Sequence, residues 1–508
     1  MTEVMLTNGS NGCRHGYLSD NGGYMKNLLK KRYIQCILVT LAVIAVYALW
    51  SIFKEVISVN MIKSGMAALI VMAAAYISVC AIKKELSADT AIKAVILAGI
   101  VMRIGYMLYT PCDVRSHDLW EISTDGKGHA GYLLGIIENN TLPQSNELQF
   151  YQQPFFYIVG SVVSRLISMI SSCTDAFYLV DAAKTVSCAA SCMVLLLAGS
   201  LFDTFELKDE EKIAATLLVA FQPAFFLCIR VTPDMLCTFF MTLALLFTFR
   251  WYASPDWKNT LILAVVYGLG VMTKISAAVP ALFTAAVFAV KLAQLIKEKK
   301  ALPVILRLAV FGIISLPLGL WYNVRNYKLF GQKLGYVPDI GKDTDIYVGD
   351  HSLFQRFVFP DFVNMLSSPY DNVWEDHNLI VYSVKSSLFG EFTFEVPSVI
   401  PITLYISALV LSVMAIIAAV SALKRHEEDK PTAVLSAVCA LFLVSVIGFN
   451  LRYPYGCSMD FRYSTFLVIP FAVLLAKQFM RRGKPAKNML FVCLAAFSFS
   501  SCLMYIFA

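Results

Sequence analysis

Residues 154–172, PFFYIVGSVVSRLISMISS, decide how the whole chain threads. The run is apolar enough to enter a bilayer, yet it carries Arg165 and several serines and follows a long polar passage. Around it the chain is overwhelmingly apolar, with 58% hydrophobic and only 15% charged side chains over 508 residues. That balance excludes a soluble domain, and many segments approach the roughly 20 apolar residues that one crossing requires. Backbone facing lipid must close its hydrogen bonds within its own segment, so the fold class is an all-α polytopic membrane protein.

Apart from 154–172, the apolar runs are Tyr33–Phe53, Ile62–Ile82, Thr90–Thr110, Phe177–Leu201, Ile213–Arg230, Thr232–Arg250, Asn259–Thr273, Ile275–Ile296, Leu302–Tyr322, Val396–Leu423, Thr432–Gly448, Tyr463–Lys477 and Asn488–Phe507. They predict about 13 transmembrane helices. Basic residues settle the role of 154–172. If it lies in the interface, then Lys26 to Arg32, Lys83 and Lys84, Lys291 to Lys300, Lys424 and Arg425, and Lys477 to Lys487 all fall on one face, as cytoplasmic loops do. If it crosses, every later loop flips. The expected chain therefore starts in the cytoplasm, runs 154–172 as a surface-lying or re-entrant helix, and ends outside in the plasma membrane. Residues 1–32, polar and rich in Gly and Asn, read as a disordered tail without the apolar core of a signal peptide.

The net charge of +7 is spread over short loops as a topology signal, which excludes a nucleic-acid partner. The 13 cysteines lack metal-ligand spacing and mostly lie in apolar runs, with a Cys112–Cys457 bridge left open. In the expected threading, loop 111–176, the polar segment 323–395, the Arg230–Asp234 turn, Lys274 and the Asn450–Arg462 loop share the outer face.

The first of these loops holds Asp113, Arg115, His117, Asp118, Glu121, Asp125, Lys127 and His129 within a short stretch. From Gly126 to Asn140 the spacing of Tyr132, Leu133, Ile136 and Ile137 predicts a short amphipathic helix ended by Asn140-Thr141-Leu142-Pro143, with Asp125, His129 and Tyr132 near its start. Asp118, flanked by His117, Leu119 and Trp120, is placed for desolvation and for service as a general base. His117, Asp118 and His129 also carry the donor atoms for a divalent metal, although their spacing matches no strong signature. Arg325 after Trp321 and Tyr322, and Arg462 at the start of a span, fit either lipid anchoring or a phosphate clamp. Lys274, in an apolar setting, needs a partner, and Asp234 is the nearest candidate, although Thr232-Pro233-Asp234 also fits a helix cap.

In order along the chain, HDLW with DGKGHAGYLLGIIENNTLP, FYQQPFFY, FQPAFFLCIRVTPDML, GLGVMTKISAAVP, WYNVRN followed by Gly331, and MDFRY resemble the GT-C polytopic glycosyltransferases, in particular family 39, the protein O-mannosyltransferase and aminoarabinose-transferase-like group. The resemblance covers most of the chain from Thr90 onward, so residues 90–508 form the expected core and 33–89 two additional helices. It implies inverting transfer of a sugar from a polyprenyl-phosphate-linked donor to a glycan, protein or lipid acceptor on the outer face. A carboxylate of the first outer loop serves as base, and basic residues of later loops hold the lipid phosphate. No cofactor is required. The usual Asp-Glu pair is replaced here by Gly128 and His129, so the carboxylate role passes to Asp118 or Asp125, with Asp118 favoured. The matching motifs carry His117, His129, Tyr132, Gln153, Asp234, Lys274, Arg325, Asn326, Arg462 and Tyr463 as substrate-binding residues. A transporter or flippase of lipid-linked or amphipathic anions is the rival; it calls for charges near the bilayer midplane, whereas these sit in outer loops.

Overall fold

A computed structural model describes residues 17–123, 125–359 and 376–508; residues 1–16 of the expected tail lie outside it. The described chain is helical throughout, with one isolated bridge between Tyr347 and Tyr455. Helices α1 (Tyr17–Phe53), α2 (Val59–Ile82) and α3 (Ala88–Tyr109) precede the first polar loop. That loop contains α4 (Gly128–Asn139) and leads into α5 (Phe155–Ser171). Next come α6 (Ala176–Ala182), α7 (Lys184–Thr204), α8 (Asp209–Phe221), the single turn α9 (Ala224–Leu227), α10 (Asp234–Ala253), α11 (Trp257–Thr273), α12 (Val279–Lys297) and α13 (Leu302–Phe330). The second polar segment holds α14 (Leu353–Phe357) and α15 (Leu379–Phe389). Helices α16 (Val399–Lys424), α17 (Lys430–Arg452), α18 (Val468–Met480) and α19 (Lys484–Phe507) complete the bundle.

Among the described residues ten helical stretches are long and apolar enough to cross a membrane, which makes this a multi-pass membrane protein. Each falls on a run read from the sequence. The three remaining runs form the shorter helices α8, α11 and α18. Among the ten, the two largest boundary differences are at α1, which begins at Tyr17 inside the expected tail, and at α13, which continues past Tyr322 to Phe330 and stops at Gly331, whose φ of 67° supplies the left-handed cap.

Helix α5 has 17 residues and buries one face, Phe156, Tyr157, Gly160, Ser161, Ser164 and Ile167, while Val162, Leu166, Met169 and Ile170 stay exposed. Arg165, anomalous in an apolar run, donates to the carbonyls of Ile136 and Ile137 and to Asn140 Oδ1 at the end of α4. A cation over unpaired C-terminal carbonyls completes that helix end. The arginine thus pins α4 and α5 together.

The run Ile213–Arg230 is broken inside the bundle, where α8 ends at Phe221 ahead of Gln222-Pro223. Such a break frees carbonyls that only protein can satisfy in an apolar interior. Arg103, fully buried on α3, donates to Ala220 O at 2.8 Å and Val219 O at 3.0 Å. Ser501 bonds Phe221 O, Ser191 bonds Phe225 O, and Ser187 bonds Arg230 O. With its backbone held from three helices, the segment delivers Arg230 to Asp234 into the site.

A second buried network fixes where the first loop leaves α3. Asp181 accepts from the Tyr47 hydroxyl at 2.5 Å, the Cys112 amide at 2.7 Å and Lys184 Nζ at 2.6 Å. Cys112 is consequently buried against Asp181. Both it and Cys457 are free thiols, so the bridge left open by the sequence is not made.

Candidate active site

The loop that follows is held in a tense conformation. Arg115, Asp118 and Trp120 all have left-handed backbones, with φ of 53°, 56° and 60°. Each costs a non-glycine residue on the order of 1 kcal/mol, so the surroundings must impose it. The start of α4 does so: His129 N donates to Asp118 O at 3.0 Å, and Ala130 N donates to Leu119 O at 3.2 Å. Gly128, at φ 72°, permits this zipper, because a Cβ there would sit 2.5 Å from Asp118 O and 2.3 Å from the Trp120 ring. Farther back, Arg115 reaches the Ala508 carbonyl and covers the Phe394 ring.

This conformation separates His117 from Asp118. The expected His-Asp pair is not formed, since Asp118 is exposed while the His117 side chain turns inward. The exposed Trp120 does not cover the Asp118 carboxylate, so its expected desolvation is absent as well. Asp118 still lies close enough for its charge to act on His129, Tyr151 and Cys457. Asp125 is also exposed, and among the described residues no contact joins it to these groups.

His129 and Tyr132 correct the sequence reading differently. Both are buried between α4 and α5 instead of facing a substrate. His129 Nδ1 lies 2.6 Å from the Tyr157 hydroxyl, and the Tyr132 ring stacks on Tyr157 at 3.8 Å. Burial brings His129 down to about 4, against the opposing pull of Asp118 and Asp234. With Nδ1 engaged and Asp118 outside, the metal set His117, Asp118 and His129 is not assembled.

The cations gather around α10 and α11. Lys274, at the C-terminal end of α11, is ion-paired with Asp234, the first residue of α10, as its apolar setting demanded. Its Nζ stands 4.6 Å from the centre of the Tyr463 ring, over which the Arg462 guanidinium also lies at 5.1 Å. Asp234, Lys274, Ser276, Arg462 and Tyr463 line a cavity of roughly 10 Å³, room for about one water. Gln153 borders this region by accepting from the Ile275 amide at 3.2 Å.

Arg325 is elsewhere. It donates to Pro143 O at 2.8 Å and to Asn326 Oδ1 at 2.9 Å, which ties α13 to the first loop. Fully buried Asn326 donates in turn to Gln332. The Arg325 guanidinium is therefore committed to backbone and amide oxygens and does not line the cavity that Lys274 and Arg462 share.

Four residues escaped the sequence reading. Glu391 and Asp460 sit beside His117, whose Nε2 is 3.0 Å from Glu391 Oε2 and 3.8 Å from Asp460 Oδ2. Gly390, at φ 64°, turns the chain after α15 so that Glu391 points inward; a Cβ there would meet the Phe392 ring at 2.7 Å. Tyr382 donates to Glu391 at 2.5 Å, and Arg230 lies over Phe392, on which His117 stacks. Burial and the neighbouring Asp460 push Glu391 up to about 8, while burial and the two arginines hold His117 well below the usual imidazole range. Arg230 and Asp460 stood in runs already quoted, IRVTPD and MDFRY. Glu391 and Tyr382 lie in a segment with no such pattern.

The whole forms a buried field of alternating sign: Lys274 and Arg462 are each held by a carboxylate and face one cavity, with Asp118 at the solvent edge. Such an arrangement can offer two cations to an anion and one carboxylate to a proton. No curated protein sequence matches the chain. Residues 182–321, which include Arg230, Asp234 and Lys274, match the family model described as dolichyl-phosphate-mannose-protein mannosyltransferase, and over that stretch the GT-C resemblance read from the sequence is shown.

Proposed function

We propose that the protein is an inverting glycosyltransferase that moves a sugar from a polyprenyl-phosphate-linked donor to an acceptor on the extracytoplasmic face. The observation that carries this reading is that Lys274 and Arg462 line one small cavity at the start of α10, where Asp234 and Lys274 belong to the segment that matches the mannosyltransferase family and Arg462 comes from outside it. The donor's phosphate takes up these two cations, displacing them from Asp234 and Asp460. Guanidinium and ammonium in a water-poor site stabilise the charge that develops as the anomeric C–O bond breaks and its electron pair passes to the phosphate. The acceptor hydroxyl or amine attacks the anomeric carbon from the opposite side and gives its proton to Asp118. Of the two candidate carboxylates, Asp118 is preferred because its field reaches Tyr151 and His129 beside the cavity.

Two features support an outward-facing site. Helix α5, one-sided in burial and fixed to α4 through Arg165, suits the membrane interface better than a crossing, and with α5 there the positive-inside pattern holds. The acceptor is a glycan, a protein or a lipid, and no cofactor is needed for these steps. The test is release of polyprenyl phosphate from a radiolabelled polyprenyl-phosphate sugar by purified protein. Asp118→Asn is expected to slow release by at least 100-fold, with membrane insertion intact; full activity would remove Asp118 from the reaction.

A further inference from the structure

We propose that His117, Glu391 and Asp460 form a binding site for a divalent transition-metal ion of the zinc class. Their ligand atoms come from three separate parts of the chain, the first polar loop, the turn after α15 and the loop before α18, yet all lie within 4.8 Å of one another. The side chains of Glu391 and Asp460 are 0% and 2% exposed, so two carboxyl groups lie close together out of reach of water. Buried carboxylates placed so closely need a cation or a shared proton between them.

The orientation of the atoms favours an ion. His117 Nε2 and Glu391 Oε2 are 3.0 Å apart without forming a hydrogen bond of good geometry, and Asp460 Oδ2 is met only by the Arg462 guanidinium, as an ion pair at 3.2 Å and not as an aligned hydrogen bond, among the described residues. Tetrahedral neighbours around zinc, with metal–ligand bonds near 2.0–2.1 Å, stand about 3.3 Å apart and aim at the centre instead of at each other. Each carboxylate also spends one oxygen on a supporting bond and keeps the other for the cluster. Glu391 Oε1 takes the Tyr382 hydroxyl at 2.5 Å, and Asp460 Oδ1 takes the Arg462 amide at 3.0 Å. That division of labour is how surrounding groups orient monodentate ligands. One imidazole and two carboxylates select a zinc-like ion over calcium or magnesium, which prefer all-oxygen shells, and they leave a coordination position open. Arg462 Nε, 3.2 Å from Asp460 Oδ2, is the competing cation, so the ion shifts Arg462 toward the cavity that it lines.

The proposal does not depend on the glycosyl-transfer reading, because its readout is metal content. Full-length protein purified in detergent from zinc-supplemented cells is to be analysed by inductively coupled plasma mass spectrometry. Its Tm is to be recorded before EDTA dialysis, after it, and after zinc is restored. The expected result is one zinc-class ion per chain, a Tm that falls with EDTA and recovers with zinc, and a loss of bound metal of at least tenfold in Glu391→Gln and Asp460→Asn. Asp125→Asn, an exposed acid, keeps the ion, and Tyr382→Phe weakens zinc affinity by about tenfold. If the triad variants fail to fold, the response of the wild-type chain to EDTA and zinc decides. Absence of metal from the wild type together with an unchanged Tm overturns the proposal in favour of a shared proton, and metal retained by both triad variants overturns it as well.

Discussion

Separating Lys274 from Asp234 offers the sharpest test of how the cavity is built. In the ion pair Lys274 is 17% exposed and Asp234 7% exposed, so removing either partner strands the other in a poorly solvated place. Breaking a buried pair from one side typically costs about 3–5 kcal/mol, whereas replacing both partners by neutral groups of similar size is often close to neutral. Two contacts soften the single losses. Lys274 keeps the face of Tyr463, and Asp234 keeps the field of Arg462. We therefore expect Lys274→Met and Asp234→Asn each to cost about 3 kcal/mol, and the double variant to stand within about 1 kcal/mol of the wild type. That leaves a coupling of several kcal/mol in the double-mutant cycle. Equilibrium unfolding in mixed micelles measures the stabilities, and binding of a polyprenyl-phosphate sugar measures the donor site. Stability is rescued in the double variant while donor affinity stays lost, because the phosphate has no ammonium to meet. Additive destabilisation by the two substitutions would refute the argument, since it would mean that the charges contribute independently.

Three further outcomes follow from the same structure. Burial holds His129 to about 4, whereas the unfolded chain binds that proton near 6.5, so its contribution is intact above about pH 6.5 and is lost as the pH falls toward 4. His129→Gln, which can still bond Tyr157, is expected to flatten part of the fall in Tm between pH 7 and pH 5; an unchanged slope would show that His129 is not the group responsible. Arg103→Met removes the donors to Val219 and Ala220 and is expected to cost at least about 3 kcal/mol in unfolding measurements, more than a surface arginine ever does. For the threading, cysteines introduced near Lys297 and near Asp343 are treated with an impermeant thiol reagent on intact cells. Labelling only near Asp343 fits α5 lying in the interface, and labelling only near Lys297 would invert the scheme.

Hydropathy and length made the bundle legible before any geometry was known, because spacing along an apolar helix is a local property. The existence of helix α4, its end at Asn140 and the Lys274–Asp234 pair were equally readable, the first two from periodicity and turn chemistry and the last from the cost of an unpaired ammonium, whereas the burial of α4 on all sides from Gly128 to Leu134 departs from the amphipathic surface helix expected. What could not be read were contacts between distant segments. Nothing near His117 announces that Gly390 will turn Glu391 toward it, some 270 residues later. Likewise a left-handed Asp118 cannot be seen in the letters HDLW, yet that one torsion splits the expected His-Asp pair. Arg325 and Arg462 looked alike in sequence, each beside aromatic residues at a helix end. Only the Pro143 carbonyl, brought close by the loop, separates a tie between segments from a cation that lines the cavity.

The interruption between α8 and α9 has a consequence for how the molecule tolerates change. Its carbonyls are satisfied by side chains rooted in α3, α7 and α19, so the turn bearing Arg230 and Asp234 is held by the bundle's interior and not by the loops around it. The surrounding loops are thereby free to lengthen, shorten or exchange without moving this turn. A scaffold wired in this way lets its loops vary while Arg230 and Asp234 stay where they are.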